Sequence, residues 1–306
     1  MLRRTILAAA RSGRTRQLVS RAPVSRSVVR RFVAGESVDD AVRVTRELVD
    51  SGLSVSLDHL GEDTTGEGQA KTGATAYLNL LDHLREHELT GHAEVSVKLS
   101  AVGLRLDRSM ALDHTRAICE AAGKAGTTAT IDMEDHTLTD QTLEIVRDLR
   151  PDFPSVGVVL QAYLRRTEAD CRDLAGAGSR VRLCKGAYKE PESVALQNKH
   201  EVDRSYVRCL NVLMSGEGYP MVATHDPRLL AIAAERVKWY DRAQGSYEYQ
   251  MLYGVRPEEQ RRLAATGETV RVYTPYGDEW YGYLMRRLAE RPANIAFFLR
   301  SLATKG

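Results

Sequence analysis

Two adjacent arginines close to the end of the sequence have the right chemistry to hold a carboxylate. They lie in the segment YLMRRLAE at 283–290, whose composition predicts a helix. Residues three and four apart are neighbours on a helix, so four side chains share one broad face: Tyr283, Arg286, Arg287 and Glu290. Guanidinium groups are planar and can bind a carboxylate through two parallel hydrogen bonds. The face predicts a clamp for a small acid, with a solvated face carrying an Arg286–Glu290 ion pair as the alternative.

A second set of polar residues stands at the ends of short apolar runs. These residues are Asp58, Lys98, Asp132, Gln161, Lys185, His225, Gln250 and Tyr273. A charge inside or directly after a β-type run is costly to bury unless it is paired or used. One such residue alone could be a paired structural charge, but eight that converge predict an active site.

The run RVRLCKGAY at 180–188 adds a candidate site for an anion. It places Arg182 and Lys185 near the end of a predicted strand and follows them with Gly186. Two cations suit an anionic ligand such as a phosphate, and a glycine lets the backbone approach that ligand closely. The sequence Thr224-His225-Asp226-Pro227 closes another strand, and its alternative interpretation is a helix cap with a surface histidine.

The elements that position these residues alternate between strand and helix patterns. Eight strands are predicted, at Ser54–Leu60, Ala93–Leu99, Thr127–Met133, Val156–Tyr163, Arg180–Tyr188, Met221–His225, Ser246–Leu252 and Thr269–Pro275. Helices are predicted at Gln69–Glu88, Asp107–Ala125, Thr139–Leu149, Thr167–Ala175, Glu201–Met214, Pro227–Val237, Pro257–Ala265 and Glu279–Arg291. Alternating elements imply a parallel sheet, and eight repeats imply an α/β fold closed into a (β/α)8 barrel. Catalytic groups then belong at the carboxyl ends of the strands, with the last helix capping the site and Gly61–Gly68 as a candidate lid.

Charge divides the chain into an arm and a body. Residues 1–35 contain nine arginines and no acidic residue, and the rest of the 306 residues carry 34 basic and 41 acidic side chains, a net charge of −7. We expect a basic N-terminal helical arm at 1–40 and a catalytic barrel at 41–306. The acidic body makes nucleic acid an improbable partner. The arm is typical of a helix packed outside the barrel, of a helix on anionic lipid, or of a mitochondrial transit peptide.

Cysteine use and hydropathy indicate a cytoplasmic protein. The four cysteines are scattered and contain no CxxC pair, which argues against a zinc site or a disulfide framework. No apolar run approaches the roughly 18 residues of a membrane span, so at most peripheral contact with the inner membrane face is expected. A transit peptide would instead imply a mitochondrial protein.

The residues alone leave several functions open. Lys98 or Lys185 could form a Schiff base in a lyase or aldolase of barrel fold. A metal-dependent hydrolase could use Asp58, Asp132, Glu134 and His225, although no HxH or HExxH pair supplies zinc ligands. A non-enzymatic binding module is the remaining alternative.

The order of short motifs resembles the proline dehydrogenase family in its monofunctional bacterial form. The motifs are SLDHLGE, SVKLS, IDMED, QAYLRR, RLCKGAY, ATHD, YEYQMLYG, VYTPYG and YGYLMRRLAE, in order from Ser56 to Glu290. The resemblance implies a barrel that binds FAD without a covalent bond. It also implies oxidation of L-proline to 1-pyrroline-5-carboxylate, the first step of proline catabolism, with electrons passed to a membrane quinone.

The same resemblance implies roles for individual residues. Arg286, Arg287 and Lys98 would bind the proline carboxylate, and Tyr273, Tyr283 and Leu252 would form the walls around the ring. Asp132 would hold the tyrosine and arginine side chains of the site, and Arg182 would lie near the reactive nitrogen of the flavin. Further FAD contacts are implied for Met133, Gln161, Lys185, Gly186, Ala187, Thr224, His225 and Glu290. Glu62 would pair with Arg286 and close the site. The aromatic residues Tyr276, Trp280 and Tyr281 depart from the family pattern and predict a pocket mouth of different shape.

Overall fold

The computed structural model describes residues 29–61 and 64–290, and for residues 286–290 it describes the backbone alone. The predictions for residues 1–28, for Glu62 and for the side chains of Arg286, Arg287 and Glu290 therefore lie outside the described part of the chain.

Eight parallel strands close into a barrel, as the sequence predicts. Each strand pairs with its sequence neighbour, and β8 closes the sheet against β1. The strands are β1 Ser54–His59, β2 Ala93–Val97, β3 Ala129–Ile131, β4 Gly157–Gln161, β5 Arg180–Cys184, β6 Tyr219–Ala223, β7 Glu248–Leu252 and β8 Val270–Tyr276. The fold class is confirmed.

Helices follow the strands on the outside of the barrel. In chain order they are α1 Val38–Asp50, α2 Glu67–Glu86, α3 Arg108–Lys124, α4 Thr139–Leu149, α5 Thr167–Asp173, α6 Lys199–Ser215, α7 Pro227–Trp239, α8 Pro257–Ala265 and α9 Trp280–Glu290. The aliphatic core lies between these helices and the outward faces of the strands, where Val55, Leu57, Val95 and Val97 are fully buried. In the described part of the chain, no helix has the length and apolar character needed to cross a membrane.

Helix α1 was missed by the sequence interpretation. It begins at Val38 and so crosses the predicted boundary between arm and barrel at residue 41. A capping box starts it, because the Ser37 hydroxyl accepts from the backbone N–H of Asp40 while the Asp40 side chain accepts from Ser37. That signal was present in the sequence.

Strand β5 ends at Cys184, four residues before the predicted end at Tyr188. The reason is Gly186, whose φ of +107° lies in the left-handed region and breaks the extended backbone. Lys185 and Gly186 therefore belong to the loop above the barrel mouth, not to the strand.

Strand β4 ends at Gln161, two residues before the predicted end at Tyr163. The backbone N–H of Leu164 turns back to the carbonyl of Gln161 at 3.0 Å, which closes a tight turn. The helix cap considered for Thr224-His225-Asp226-Pro227 is present, because Asp226 caps α7 by accepting from the N–H of Arg228. His225 is half-buried and not a surface residue.

A small separate core holds the last helix against the barrel. This upper cluster consists of Val29, Phe32, Val33, Leu60, Trp280, Tyr281, Tyr283, Leu284 and Met285. Two backbone bonds fix its N-terminal half: Ala34 N–H donates to Pro275 O, and Gly277 N–H donates to Gly35 O, each at 2.9 Å. The segment before α1 thus supports the helix that carries the predicted arginine clamp.

Phe32 is expected to be a stabilising residue of this cluster. Its side chain is 2% exposed, so Phe32→Ala should lower the free energy of unfolding by about 3 kcal/mol, the usual cost of emptying an aromatic site. The measurement is urea denaturation. Trp239→Ala is the control, because Trp239 is 75% exposed and should change stability by no more than about 0.5 kcal/mol. Equal effects of the two substitutions would contradict the packing.

Candidate active site

The mouth of the barrel contains a layer of interacting polar side chains. Asp58, Lys98, Asp132 and Tyr273 come from β1, the end of β2, the end of β3 and β8. Lys98 Nζ donates to a carboxylate oxygen of Asp58 and lies 3.4 Å from the Tyr273 hydroxyl and 4.0 Å from Asp132 Oδ2. The Tyr273 hydroxyl donates to Asp132 Oδ2 at 2.8 Å. Three predicted site residues, Lys98, Asp132 and Tyr273, are therefore brought together, with Asp58 as a fourth member.

Burial sets the protonation of this layer. Burial raises the pKa of Tyr273 well above its ordinary value, and the neighbouring carboxylates Asp132 and Asp58 raise it further. The phenol consequently stays protonated and acts as a donor to Asp132. Burial also raises the pKa of the Asp58 carboxyl, while Lys98 acts in the opposite direction.

Directly below this layer, Arg182 spans the inside of the barrel. Its Nη1 donates to Asp132 Oδ1 and to Ser96 Oγ, each at 2.8 Å. Its Nη2 donates to Ser56 Oγ at 2.9 Å and to Glu94 Oε1 at 3.3 Å, and its Nε donates to Gln250. The guanidinium carbon lies 5.3 Å from the ring centroid of Tyr273. Asp132 thus accepts from both the Arg182 guanidinium and the Tyr273 hydroxyl.

The lowest layer of the barrel interior is also charged. Its members are Glu94, Arg180, Glu248 and Arg271. Glu94 accepts from Arg180 Nη2 at 2.7 Å, and Glu248 accepts from Arg271 Nε at 2.8 Å. Barrels of this type are usually filled with branched aliphatic side chains. In this barrel, ion pairs occupy much of the interior instead.

A second group of predicted residues lies at the ends of β5 and β6. Lys185 Nζ donates to Asp203 and to Asp226 Oδ2, the latter at 3.1 Å. Thr224 is buried, and its hydroxyl accepts from the backbone N–H of Asp226 at 3.2 Å. His225 Nε2 accepts from the backbone N–H of Leu252 at 2.8 Å, so in a neutral ring the proton is carried by Nδ1.

Backbone hydrogen bonds connect the loops that follow β4 and β5. The backbone N–H of Tyr163 donates to Lys185 O at 2.9 Å, and the N–H of Leu196 donates to Tyr163 O at 2.7 Å. A Cβ at Gly186 would lie 2.3 Å from the Tyr163 ring, so only glycine fits between this ring and the loop. Ala187 follows in the loop and is exposed.

The other predicted site residues have varied surroundings. Gln161 donates from Nε2 to Glu134 O at 2.7 Å, and Met133 is buried in the main core. Leu252 is half-buried at the end of β7. Tyr283 is buried in the upper cluster, on the helix α9. Glu62, Arg286, Arg287 and Glu290 are outside the side chains that the structure describes.

Comparison with known proteins identifies the family. The proline dehydrogenase family model matches residues 41–300. The chain belongs to the proline dehydrogenase family. Proline dehydrogenase 1 of Bacillus subtilis is 40% identical over 276 residues, which cover 90% of this chain and 91% of that protein. Proline dehydrogenase of Deinococcus radiodurans is 38% identical over 281 residues, with 90% of each chain covered. The predicted family and enzyme class are confirmed.

A solved structure supports the same assignment. Proline utilization A from Bdellovibrio bacteriovorus, described as inactivated by N-propargylglycine, superposes with a TM-score of 0.80 at 26% identity. The match covers 86% of this chain and 32% of that one, so this chain spans about a third of that larger protein.

Membership of the proline dehydrogenase family weakens the alternative functions. Lys98 and Lys185 are both ion-paired with carboxylates, whereas a Schiff-base lysine must supply a neutral amine. The four residues considered for a metal-dependent hydrolase do not form one site: Glu134 accepts from Ser100, and His225 accepts from Leu252. Across residues 29–61 and 64–290, no cluster of three or more His, Cys, Asp or Glu could hold a metal ion.

The sequence interpretation missed Ser56, Ser96 and Glu94 as parts of the site. They alternate along β1 and β2 with Asp58 and Lys98, at positions two residues apart. Side chains with this spacing face the same side of a strand. Tracing the inward face of each strand below its polar end would have found them.

Glu94 is expected to make stability sensitive to acid. Burial raises the pKa of this carboxyl, but Arg271, Arg180 and Arg182 more than offset burial and lower the pKa from 4.5 to about 2. Because the folded-state pKa is depressed, the stabilisation is complete above about pH 4.5 and is lost as the pH falls from there towards 2.

The test compares urea unfolding of the wild type and Glu94→Gln at several pH values. Across this window the wild type should lose on the order of 3 kcal/mol more than the variant. Parallel pH profiles for the two proteins would show that Glu94 does not carry the effect.

Proposed function

We propose that this protein oxidises L-proline to 1-pyrroline-5-carboxylate with a non-covalently bound FAD. The observation that carries the proposal is the bridge made by Asp132 at the barrel mouth, which binds Arg182 through Oδ1 and Tyr273 through Oδ2. The bridge holds a cation and a phenol side by side at the barrel mouth. The reaction itself is inferred from membership of the proline dehydrogenase family.

The donors at the ends of β5 and β6 suit the polar parts of FAD. Lys185 supplies a cation for the phosphates, and the Gly186 turn brings the backbone close to them. Thr224 and His225 can donate from Oγ1 and Nδ1 to ring or ribose oxygens. Gln161, Met133, Ala187 and Glu290 are the other contacts that we propose. When bound, FAD accepts a hydride equivalent from the carbon beside the proline nitrogen.

Orientation of proline is the main task of the protein residues. Arg286 and Arg287 would bind the carboxylate through parallel hydrogen bonds, with Lys98 as a third cation. The Lys98–Asp58 ion pair is internally neutral, so the arginines would supply most of the charge. Such a clamp restricts the ring to the reactive geometry. Its walls would be Tyr273, Tyr283 and Leu252, and Glu62 would pair with Arg286 as a gate.

Arg182 contributes a fixed charge near the reacting centre. Its five N–H groups all donate to described residues of the barrel, so its effect on the flavin is electrostatic in this arrangement. A cation near the flavin favours the electron-rich reduced form. Asp132 keeps that cation and the Tyr273 phenol in place.

We propose a membrane quinone as the acceptor of the electrons, as the family resemblance implies. A cytoplasmic protein with peripheral contact to the inner membrane face would reach it. The basic arm at 1–35 supplies charge for such contact, and a transit peptide, which would place the protein in mitochondria, is the other interpretation of the same arm.

The proposed function is tested by one absorption spectrum. Purified protein should be yellow, with a flavin spectrum that bleaches under anaerobic conditions when L-proline is added, because the electrons remain on the flavin. D-alanine, which has a carboxylate and an amine but no ring, is the control and should leave the spectrum unchanged. Colourless protein that gains no proline oxidation from added FAD would refute the proposal.

The arginine clamp makes a separate kinetic prediction. Arg286→Met and Arg287→Met should each raise the apparent KM for proline by about 100-fold or more, because a charge-assisted bidentate contact to the carboxylate is lost. Steady-state kinetics with an artificial electron acceptor give the values. Arg262→Met is the control, since Arg262 lies on α8 in an exposed ion pair with Glu259. Unchanged KM in both clamp variants would rule the clamp out.

A further inference from the structure

The guanidinium of Arg182 is held by hydrogen bonds to side chains inside the barrel. Its five N–H groups go to five side chains on four strands, and two serine hydroxyls extend the network. Ser96 Oγ accepts from Arg182 and donates to Asp132 at 2.9 Å. Ser56 Oγ accepts from Arg182 and donates to Glu94 at 3.1 Å. The guanidinium is therefore held between two carboxylates, Asp132 above and Glu94 below.

Three arginine side chains of the barrel interior meet at the carboxylate of Glu94. It is 1% exposed and lies on β2, two residues before Ser96. Its carboxylate accepts from Thr130 Oγ1 at 3.0 Å, and three guanidinium groups surround it. Their distances are 2.7 Å for Arg180 Nη2, 3.3 Å for Arg182 Nη2 and 3.9 Å for Arg271 Nε.

Charges inside the barrel are balanced. The cations are Lys98, Arg180, Arg182 and Arg271, and the carboxylates are Asp58, Glu94, Asp132 and Glu248. Buried ionised groups interact strongly with one another through Coulomb forces, because little water is present to screen their charges. Removal of one carboxylate would leave the adjacent cations with less compensating charge.

We propose that Glu94 is a positioning residue that fixes the guanidinium of Arg182 and partly neutralises its charge, and so sets the redox potential of the bound flavin. The inference rests on the proposed function, in which Arg182 lies beside the flavin. Glu94 acts through Arg182 from the layer below and touches neither substrate nor cofactor.

Glu248 provides a matched control. It is fully buried in the same layer and pairs with Arg271 at 2.8 and 3.1 Å. It is linked to Arg182 through Gln250, which donates to Glu248 and accepts from Arg182 Nε. Glu94→Gln and Glu248→Gln each remove one buried negative charge and keep an amide oxygen as acceptor. They differ in whether the carboxylate that is lost directly contacts Arg182.

The experiment measures the flavin midpoint potential of the wild type, Glu94→Gln and Glu248→Gln by spectroelectrochemical titration. A larger net positive charge at Arg182 favours the reduced flavin, so the potential of Glu94→Gln should be more positive than that of the other two proteins. An equal shift in both variants, or no shift in Glu94→Gln, would overturn the inference.

A second pair of variants covers the case in which Glu94→Gln fails to fold. Glu94→Asp and Glu248→Asp keep the charge but shorten the side chain, which withdraws the carboxylate from its arginines. The potential should rise in Glu94→Asp alone, and equal potentials in this pair would also overturn the inference. Failure of the proposed function is distinguishable, because the wild type would then hold no flavin that proline bleaches.

Discussion

The site depends on one carboxylate that is shared between two layers of the barrel. Asp132 follows β3, and its two oxygens face different partners: Oδ1 accepts from Arg182 and Ser96, and Oδ2 accepts from Tyr273. A buried carboxylate with several donors is held in one orientation, because each lost contact would leave a polar group unsatisfied. The cation and the phenol consequently cannot move independently.

This constraint explains why the barrel interior departs from an aliphatic core. A cation as deeply buried as Arg182 needs compensating charge on more than one side, since desolvation of an unpaired guanidinium is costly. Asp132 supplies that charge above, and Glu94 supplies it below. Glu94 in turn gathers Arg180 and Arg271, and the second of these pairs with Glu248. The lower ion pairs can thus be understood as consequences of placing one cation at the reacting end of the barrel.

The sequence was sufficient to predict the fold and the polar residues at the rim of the barrel. Strand and helix periodicity predicted all eight strands, and polar residues at the strand ends predicted that Lys98, Asp132 and Tyr273 would meet. Local backbone conformation limited the accuracy of boundaries: the apolar character of RVRLCKGAY continues past Cys184, but the left-handed backbone of Gly186 stops the strand. The lower charged layer was missed because Glu94 lies at the start of its strand, where a polar residue usually faces solvent; only its two-residue spacing from Ser96 and Lys98 indicates that it faces inward.

The N-terminal segment shows a different limit of sequence interpretation. Its nine arginines suggest a role that depends on charge. In the part of the segment that the structure describes, Phe32 and Val33 are buried in the cluster that includes α9. Apolar residues within a basic segment are easily taken for the face of a surface helix. Here they connect the beginning of the described chain to the helix that carries Arg286 and Arg287.

A crystal structure with FAD and a proline analogue that lacks the ring nitrogen would test the central claim most directly. We predict that the analogue's carboxylate contacts the guanidinium groups of Arg286 and Arg287, that its ring lies between Tyr273 and the flavin, and that Asp132 still bridges Arg182 and Tyr273. A carboxylate bound elsewhere, with both arginines in solvent and the Asp132 bridge broken, would contradict the account.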